Sequence, residues 1–375
     1  MKEKAAQASL SHGVPARKTL EVPQPESQRG NSWVIPGVFI ALVVVVLILI
    51  LTLPSLNLFT SIFRLNGNYT STYAINTSSS SNPSLTNSTV QITYPSDYAA
   101  LANYSLTLIN KDRASAGLSP ASLSPIQSGQ QHADSMLYYD YFSHWDTQGL
   151  KPYMRYTILN GTGFVEENVA YEYTSYPSYL STSDVKSAIS TLEYQMINND
   201  SQCCQNGHKD NILNQYHNRV SIGIAYNSNQ VYFVEDFETA YISFSQPIVS
   251  GVQVVLSGNT SETINPSSVM IFYDSTPTKL NTSSLNTQYY GPYSQGSFVG
   301  GILPPCNIFK GCASYQGYIT VYASTWQVTA SSIDIQFSLS KFLAQDGDGV
   351  YTIYMVQGDQ SSPEYLTSIS VFESG

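Results

Sequence analysis

Histidines and carboxylates gather in one part of the chain. Four of its five histidines fall there: His132, His144, His208 and His217. The acidic pair Glu166 and Glu167 lies between them in the sequence. Two imidazoles and one carboxylate, with a position left for water, form a workable site for a divalent metal, and zinc is the first candidate. Such a metal lowers the pKa of its bound water to about 7 and so makes a hydrolytic nucleophile, with a remaining carboxylate as base.

Plainer roles are open to several of these residues. His132 lies in a helical segment and is expected to be a structural residue, hydrogen-bonded locally. His144 could cap the C-terminus of that helix, where a cation is favoured. Only one of Glu166 and Glu167 can face inward in an extended segment. Turn or salt-bridge roles suit three further residues: Asp140, Asp146 and Arg155. The sequence contains no GxSxG, HExxH or Cys–His nucleophile pattern.

The elements that must position these side chains are helices followed by a hairpin. Apolar residues at helical spacing, with capping residues at the ends, predict helices over 96–117, 124–141 and from Ser183 onward. Alternating apolar residues over 220–226 and 231–234, around a turn at 227–229, predict an antiparallel hairpin. This order predicts an α+β domain with layered packing.

Five strings in this region occur in a specific order. They are LINKDRASAGL (108–118), HADSM (132–136), YFSHWDTQG (141–149), EENVA (166–170) and GHKDNILNQYHNRVSIGIAY (207–226). Over roughly 94–240 the chain resembles the CAP superfamily, which comprises cysteine-rich secretory proteins, antigen 5 and pathogenesis-related proteins. It is most similar to the prokaryotic branch, whose members read FSH, GENIA, GHRxNILN and a VGVG-type strand. The resemblance implies a CAP-type α-β-α layered domain with a central cleft.

The resemblance also implies that two histidines and two acidic residues line this cleft. His144 stands at the FSH histidine and Glu167 at the glutamate of ENIA. His208 matches the histidine of GHRxNIL, whereas the GHYTQ string of eukaryotic members aligns nearer His217, so either can complete the pair. Glu193 is the acidic residue available in the third helix, although no tryptophan accompanies it. Metal ligands are therefore expected among the three histidines and Glu167, and Glu167 and Glu193 are the candidate catalytic residues.

Residues 241–375 have a different pattern. Short apolar runs separated by Gly, Pro, Asn and Ser predict an all-β, antiparallel sandwich of the immunoglobulin-like sort. The string 346–349, DGDG, indicates a turn before a strand rather than a calcium loop, because the other ligands of an EF-hand are absent. Cys306 and Cys312 are close enough for a small loop disulfide, whereas adjacent Cys203 and Cys204 are expected to pair only with strain. These two lie in an insertion-like stretch, 199–206, at the cleft rim.

The N-terminal part predicts a membrane anchor. Residues 34–54 include an uncharged apolar run of about 20 residues, long enough to span a bilayer. Basic residues are concentrated in 1–33, so this segment is expected in the cytoplasm and the remainder outside the cell membrane. Residues 55–93, rich in Ser, Thr and Asn, form a stalk. Glycosylation triplets begin at Asn68, Asn76, Asn87, Asn103, Asn160, Asn199, Asn259 and Asn281.

Charge and composition restrict the classes of function that this chain can have. Only 11% of residues are charged and the net charge is -10, so nucleic-acid binding is excluded. With 42% hydrophobic residues the chain can build ordinary cores. The sequence favours a non-enzymatic surface module for binding or adhesion, whose His/Glu cleft holds a divalent metal or a small ligand. The partner is a surface protein, a lipid or a glycan. A metal-dependent extracellular hydrolase using the same cleft is the alternative.

Overall fold

The structure, a computed structural model, describes residues 94–174, 180–245, 248–306, 311–358 and 363–374. The expected cytoplasmic segment, membrane span and stalk lie outside these residues, as do Asn68, Asn76 and Asn87. Among the helices in the described ranges, none is long and apolar enough to cross a membrane.

The first part of the described chain is a four-stranded sheet with helices. The helices are α1 (Tyr98–Ser115), α2 (Ser128–Tyr139), α3 (Pro152–Ile158), α4 (Thr182–Asn198) and α5 (Gly207–Ile212). The strands are β1 (Ser122–Leu123), β2 (Phe164–Tyr173), β3 (Arg219–Tyr226) and β4 (Gln230–Thr239). Their order in the sheet is β1-β3-β4-β2, with β1 parallel to β3 and the other pairs antiparallel.

Helices cover both faces of this sheet. On one face α1, α4 and α5 bury residues such as Ile109, Leu192 and Ile212 against Ile222 and Phe233. On the other face α2 buries Ala133 and Met136 against Val169 and Val234. Because successive strand residues point to opposite faces, β2 and β4 contribute to both cores. The result is the layered α-β-α arrangement that the sequence indicates.

Two helix starts differ from those expected. The sequence places the start of α2 at Ser124, but the Ser124 hydroxyl accepts a hydrogen bond from the Ile126 N–H and forms a turn, so the helix begins at Ser128. For α4 the cap is Ser181 rather than Ser183. The Ser181 hydroxyl accepts the Asp184 N–H while the Asp184 side chain accepts the Ser181 N–H, which is a reciprocal capping box.

The second part contains two sheets. Its strands are β5 (Ile242–Phe244), β6 (Val249–Ser250), β7 (Gln253–Thr260), β8 (Pro266–Asp274), β9 (Ser297–Leu303), β10 (Ile319–Tyr322), β11 (Thr325–Val328), β12 (Ser332–Ser338), β13 (Gly349–Gln357), β14 (Glu364–Tyr365) and β15 (Ile369–Glu373). One sheet has the order β10-β9-β8-β13-β14, with β15 also on β13, and the other has the order β11-β12-β7-β5, with β6 on β7. Residues from both sheets, including Leu256, Ile271, Ile335 and Ile353, share one core.

This part departs from the expected all-β antiparallel sandwich in two ways. Strand β10 pairs with β9 in parallel. Two short helices, α6 (Thr282–Leu285) and α7 (Ser340–Asp346), lie between strands. The 346–349 string leads directly from α7 into β13, as a turn there requires. The likeness to an immunoglobulin fold remains a prediction.

The two parts are packed together. The Thr157 hydroxyl in α3 donates to the Ser368 carbonyl at 3.2 Å and accepts from the Ser370 N–H at 3.0 Å. The Val165 N–H donates to the Ser368 hydroxyl at 3.2 Å. All described residues belong to one compact unit.

The cysteines form two disulfides. One joins Cys306 to Cys312, and the other joins the adjacent residues Cys203 and Cys204. The second disulfide is the pairing that the sequence indicates only with strain. It lies in the turn between α4 and α5.

Candidate functional site

Strand β2 separates the two neighbouring glutamates. Glu167 lies opposite Asp236 of β4, on the face covered by α2 and α3, whereas Glu166 lies opposite Phe237 on the other face. Glu167 is 2% exposed. Of the acidic pair, Glu167 therefore lies on the face covered by α2 and α3, where His132 and His144 also lie.

Both carboxylate oxygens of Glu167 are occupied. His132 Nδ1 lies 2.7 Å from Glu167 Oε2, and Arg155 Nη2 donates to the same oxygen at 2.7 Å. His144 Nδ1 lies 2.9 Å from Oε1. The Glu167 N–H donates to the hydroxyl of Tyr293, which belongs to the second part of the chain. The four residues His132, His144, Arg155 and Glu167 are called the Glu167 network below.

Arg155 supplies the permanent charge in this network. Burial opposes ionisation of Glu167, but the charge of its partners, Arg155 among them, and hydrogen bonds from the two histidines hold its pKa well below the usual value. Burial, with the charge of Arg155, lowers the pKa of His132 to about 4. His132 is thus neutral at physiological pH. Its Nε2 atom finds no partner among the described residues, which suits a neutral ring because an imidazolium would bury an unpaired N–H there.

Asp236 lies opposite Glu167 on the neighbouring strand β4. Burial, and then the negative charge of Glu167, raise the pKa of Asp236 well above its usual value. Its Oδ2 atom accepts a hydrogen bond from the Ser128 hydroxyl at the start of α2.

Arg155 also holds a loop in place. Its Nη1 atom donates to the carbonyl oxygens of His144 and Leu150, each at 2.9 Å. Asp146 in the same loop accepts the N–H groups of Gln148 and Leu150, so it is the turn residue that the sequence indicates. The Glu167 network therefore fixes residues 144–150 rather than leaving a carboxylate free for chemistry.

The sequence alone assigns Arg155 only a turn or salt-bridge role and treats His132 as structural. One feature of the sequence indicates that Arg155 has a buried partner. Arg155 is the charged residue in the short helical string PYMRYTI, between Met154 and Tyr156, which are both buried. A charge in such a position needs a buried partner, and here that partner is Glu167.

The other predicted site residues lie in separate groups. His217 Nε2 lies 3.0 Å from Glu166 Oε2, and His208 Nδ1 lies 2.6 Å from Asp200 Oδ1. Burial, and then the nearby Glu235 carboxyl, raise the pKa of Glu193 well above its usual value. Asn168 Nδ2 donates to Glu235 Oε2 at 3.1 Å.

The expected metal ligands are therefore not brought together. His144 and Glu167 bond to each other, while His208 and His217 bond to carboxylates of other groups. Within the described residues, one group of metal-ligand side chains has its ligand atoms within 4.8 Å of one another, and it contains none of His144, Glu167 and His217. As placed, the four residues do not form one coordination site.

A cleft lies beside the Glu167 network. Its volume is about 140 Å³, and it is bounded by residues 145–154 on one side and 274–290 on the other. Trp145, Tyr289 and Tyr290 supply its aromatic lining. Lys151 and Asp274 supply its charged groups, and their Nζ and Oδ1 atoms are 2.6 Å apart.

The five glycosylation triplets within the described ranges begin at exposed asparagines. These are Asn103, Asn160, Asn199, Asn259 and Asn281. Exposure is what attachment of a glycan requires, and their occupancy remains a prediction.

Among solved structures, two with a partial likeness to this chain contain SCP or CAP domains. An extracellular protein containing an SCP domain from Bacillus anthracis is 17% identical, with a TM-score of 0.28 over 37% of this chain and 40% of that chain. The CAP domain of enterococcal PrgA is 17% identical, with a TM-score of 0.29 over 38% of this chain and 62% of that chain. The chain thus spans less than two thirds of either structure, and these TM-scores are too low to assign a family. No protein-family model and no curated protein matches the chain.

Proposed function

We propose that the protein is a CAP-type binding module of the cell surface, and that its cleft takes one sugar ring of a surface glycan. The span at 34–54 anchors it, with residues 1–33 in the cytoplasm and the rest outside. The CAP assignment is supported by the ordered strings between 108 and 226 and by the α-β-α layers that carry them.

The cleft beside the Glu167 network carries the proposal. Aromatic rings with a few fixed polar groups are typical of small-ligand sites. Lys151 Nζ lies 5.0 Å from the centre of the Trp145 ring, which stands at right angles to Tyr290. Two of the three N–H groups of Lys151 bond to Asp274 and to the Ser294 carbonyl, so one donor remains for a ligand hydroxyl. The aromatic faces offer an apolar surface for the C–H groups of a sugar.

The size of the cleft favours a ring-sized group. A cavity of about 150 Å³ holds one benzene molecule, whereas pockets for larger organic ligands measure roughly 300 Å³ or more. At about 140 Å³ this cleft fits one six-membered ring and is too small for a sterol or a lipid chain. Among surface protein, lipid and glycan, the glycan agrees best with this size.

The Glu167 network serves this cleft as a support. It bonds to the backbone of His144 and Leu150 through Arg155, and so fixes the loop from which Trp145 and Lys151 project. Because both oxygens of Glu167 are engaged, the carboxylate is not free to bind a metal or to activate water. This disfavours the alternative of a metal-dependent hydrolase that acts through His144 and Glu167.

The test is binding of single sugars to the full-length protein in detergent. Glucose, galactose, mannose and N-acetylglucosamine are each examined by saturation-transfer NMR, with Trp145→Ala and Tyr289→Ala as variants. At least one sugar should show transfer that both variants reduce, whereas Trp326→Ala, in β11 of the second part, should leave it unchanged. No transfer with any of the four, or transfer unaffected by Trp145→Ala, would contradict the proposal.

A parallel zinc titration tests the alternative function, a metal-dependent hydrolase. Zinc that binds the oxidised protein and is lost in His144→Ala would support a metal site at the Glu167 network, and so the hydrolase. Under the glycan proposal, His144→Ala changes no zinc binding.

A further inference from the structure

A group of metal-ligand side chains lies at the turn between α4 and α5, apart from the Glu167 network. It consists of Asp200, Cys203, Cys204 and His208, whose ligand atoms all lie within 4.8 Å of one another. The group shares only His208 with the expected metal ligands. Three of its members come from the insertion-like stretch 199–206.

Asp200 is the fixed centre of this group. It is 2% exposed, and its Oδ2 atom accepts the Lys209 N–H at 3.2 Å. Its Oδ1 atom lies 2.6 Å from His208 Nδ1 and 3.7 Å from Cys203 Sγ. A carboxylate, an imidazole and two sulfur atoms therefore lie within 4.8 Å of one another.

The oxidation state of the sulfur atoms decides whether they can act as ligands. In the structure Cys203 and Cys204 are joined to each other as a disulfide. Metals bind the thiolate, so the disulfide form offers only Asp200 and His208. Cys203 is exposed, which allows a thiol reagent to reach its sulfur atom.

We propose that Asp200, Cys203, Cys204 and His208 form a redox-gated zinc site. An external dithiol breaks the Cys203–Cys204 bond by thiol–disulfide exchange: the dithiol forms its own S–S bond, and its two electrons and two protons pass to the cysteines. Zinc then binds the two sulfur atoms as thiolates, with release of both protons to solvent. In the oxidising surroundings of a cell surface the site is closed, and reduction opens it.

The spacing suits zinc. Zinc prefers four ligands from Cys, His and carboxylates in a tetrahedron, at about 2.3 Å for sulfur and about 2.0 to 2.1 Å for nitrogen. These bond lengths place the ligand atoms about 3.3 to 3.8 Å apart. Every pair in the group is within 4.8 Å, so the most distant ligand atoms must approach by only about 1 Å. The Asp200 Oδ1 and His208 Nδ1 atoms, now 2.6 Å apart, and the two sulfur atoms once reduced must separate slightly, which is the scale of a side-chain adjustment.

The test uses cobalt(II), a coloured probe for zinc sites, on the full-length protein in detergent. The oxidised protein should show no thiolate-to-cobalt charge-transfer band. After reduction with dithiothreitol and its anaerobic removal, one equivalent of cobalt should give this band together with tetrahedral d–d absorption, and zinc should displace both. Absence of the band in the reduced protein would overturn the proposal.

Matched variants show which residues bind the cobalt that gives the band. Cys203→Ser with Cys204→Ser should abolish the band. Cys306→Ser with Cys312→Ser removes the same number of thiols from the other disulfide and should leave it intact. Asp200→Asn and His208→Gln should each weaken cobalt binding while keeping a thiolate band. A band that persisted without Cys203 and Cys204, or disappeared without Cys306 and Cys312, would place the metal elsewhere. The outcome is independent of the sugar test, because the two sites share no residue.

Discussion

Among the buried carboxyl groups, Glu238 has a pKa close to neutral pH. Burial raises the pKa of Glu238 to about 7, although hydrogen bonds from Ser124 and Tyr156 partly oppose the rise. Its ordinary value is 4.5. The folded protein therefore holds this proton more tightly than the unfolded chain. The Glu238 proton contributes its full stabilisation below about pH 4.5, and this stabilisation is lost as the pH rises through about 7.

Replacing Glu238 with glutamine should remove this part of the pH dependence. We expect the free energy of unfolding of the wild type, from urea titrations, to fall by about 3 kcal/mol more than that of Glu238→Gln between pH 4.5 and 7. Other buried carboxyls such as Asp236 have pKa shifts in the same direction, but they are common to both proteins and cancel in the difference. Glu172→Gln, at an exposed position of β2, should keep the wild-type slope. Equal slopes in wild type and Glu238→Gln would refute the assignment.

Site residues were predictable from the sequence where a local string carried them. The FSH and ENVA strings located His144 and Glu167, which the structure joins. The strings said nothing of Arg155 or Asp236, because these meet Glu167 through the packing of α3 and the register of β2 on β4. Glu193 and His208 fall in other groups because they belong to α4 and α5, and the face of the sheet against which a helix packs is not encoded in a local string.

At the scale of elements, periodicity predicted the main helices and the β3–β4 hairpin because both signals are local. The pattern of strand β9 is weaker. Its sequence SFVGGIL contains Gly300 at φ 146° and Gly301, and glycines weaken a strand pattern. The structure requires a glycine at 300, since a Cβ there would collide with the carbonyl of Ile319 in β10. Strand β10 approaches β9 so closely that position 300 must be glycine. In the sequence this glycine interrupts the apolar pattern and hides the strand.

The loop that walls the cleft depends on a glycine in a similar way. Gly149 has φ 78°, and a Cβ there would strike the carbonyl oxygen of Thr278 on the opposite wall. Gly149→Ala should lose about 1–2 kcal/mol from the left-handed backbone and about 1–3 kcal/mol more from overpacking, as measured by thermal or urea unfolding. It should also weaken binding in the cleft.

Gly117 provides a matched comparison for this substitution. It has φ 75°, and a Cβ there meets nothing within 4 Å. Gly117→Ala should therefore show only the backbone loss and leave binding unchanged. If the two variants were equally destabilised, the loop would not be held against Thr278 as the structure shows.

At the scale of the whole molecule, the sequence indicates two domains with a boundary near 240, and the structure adds the contacts across that boundary. Tyr293 hydrogen-bonds to the backbone of Glu167, and Ser368 bonds to both α3 and β2. Such contacts depend on three-dimensional packing between distant segments, which no string in either half encodes. They make the second part a wall of the candidate site rather than a separate module.

We therefore expect the two parts to unfold together. Trp145 and Trp326 lie in different parts, so variants that retain one tryptophan report each part by fluorescence: Trp33→Phe with Trp326→Phe, and Trp33→Phe with Trp145→Phe. Their urea midpoints should coincide.

Thr157→Val leaves the Ser370 N–H and the Ser368 carbonyl without their partner. It should lower the free energy of unfolding by about 1–3 kcal/mol and shift both midpoints equally. Thr107→Val, at an exposed position of α1, should move neither. Separate midpoints, or a Thr157→Val effect on Trp145 alone, would instead show two independent domains.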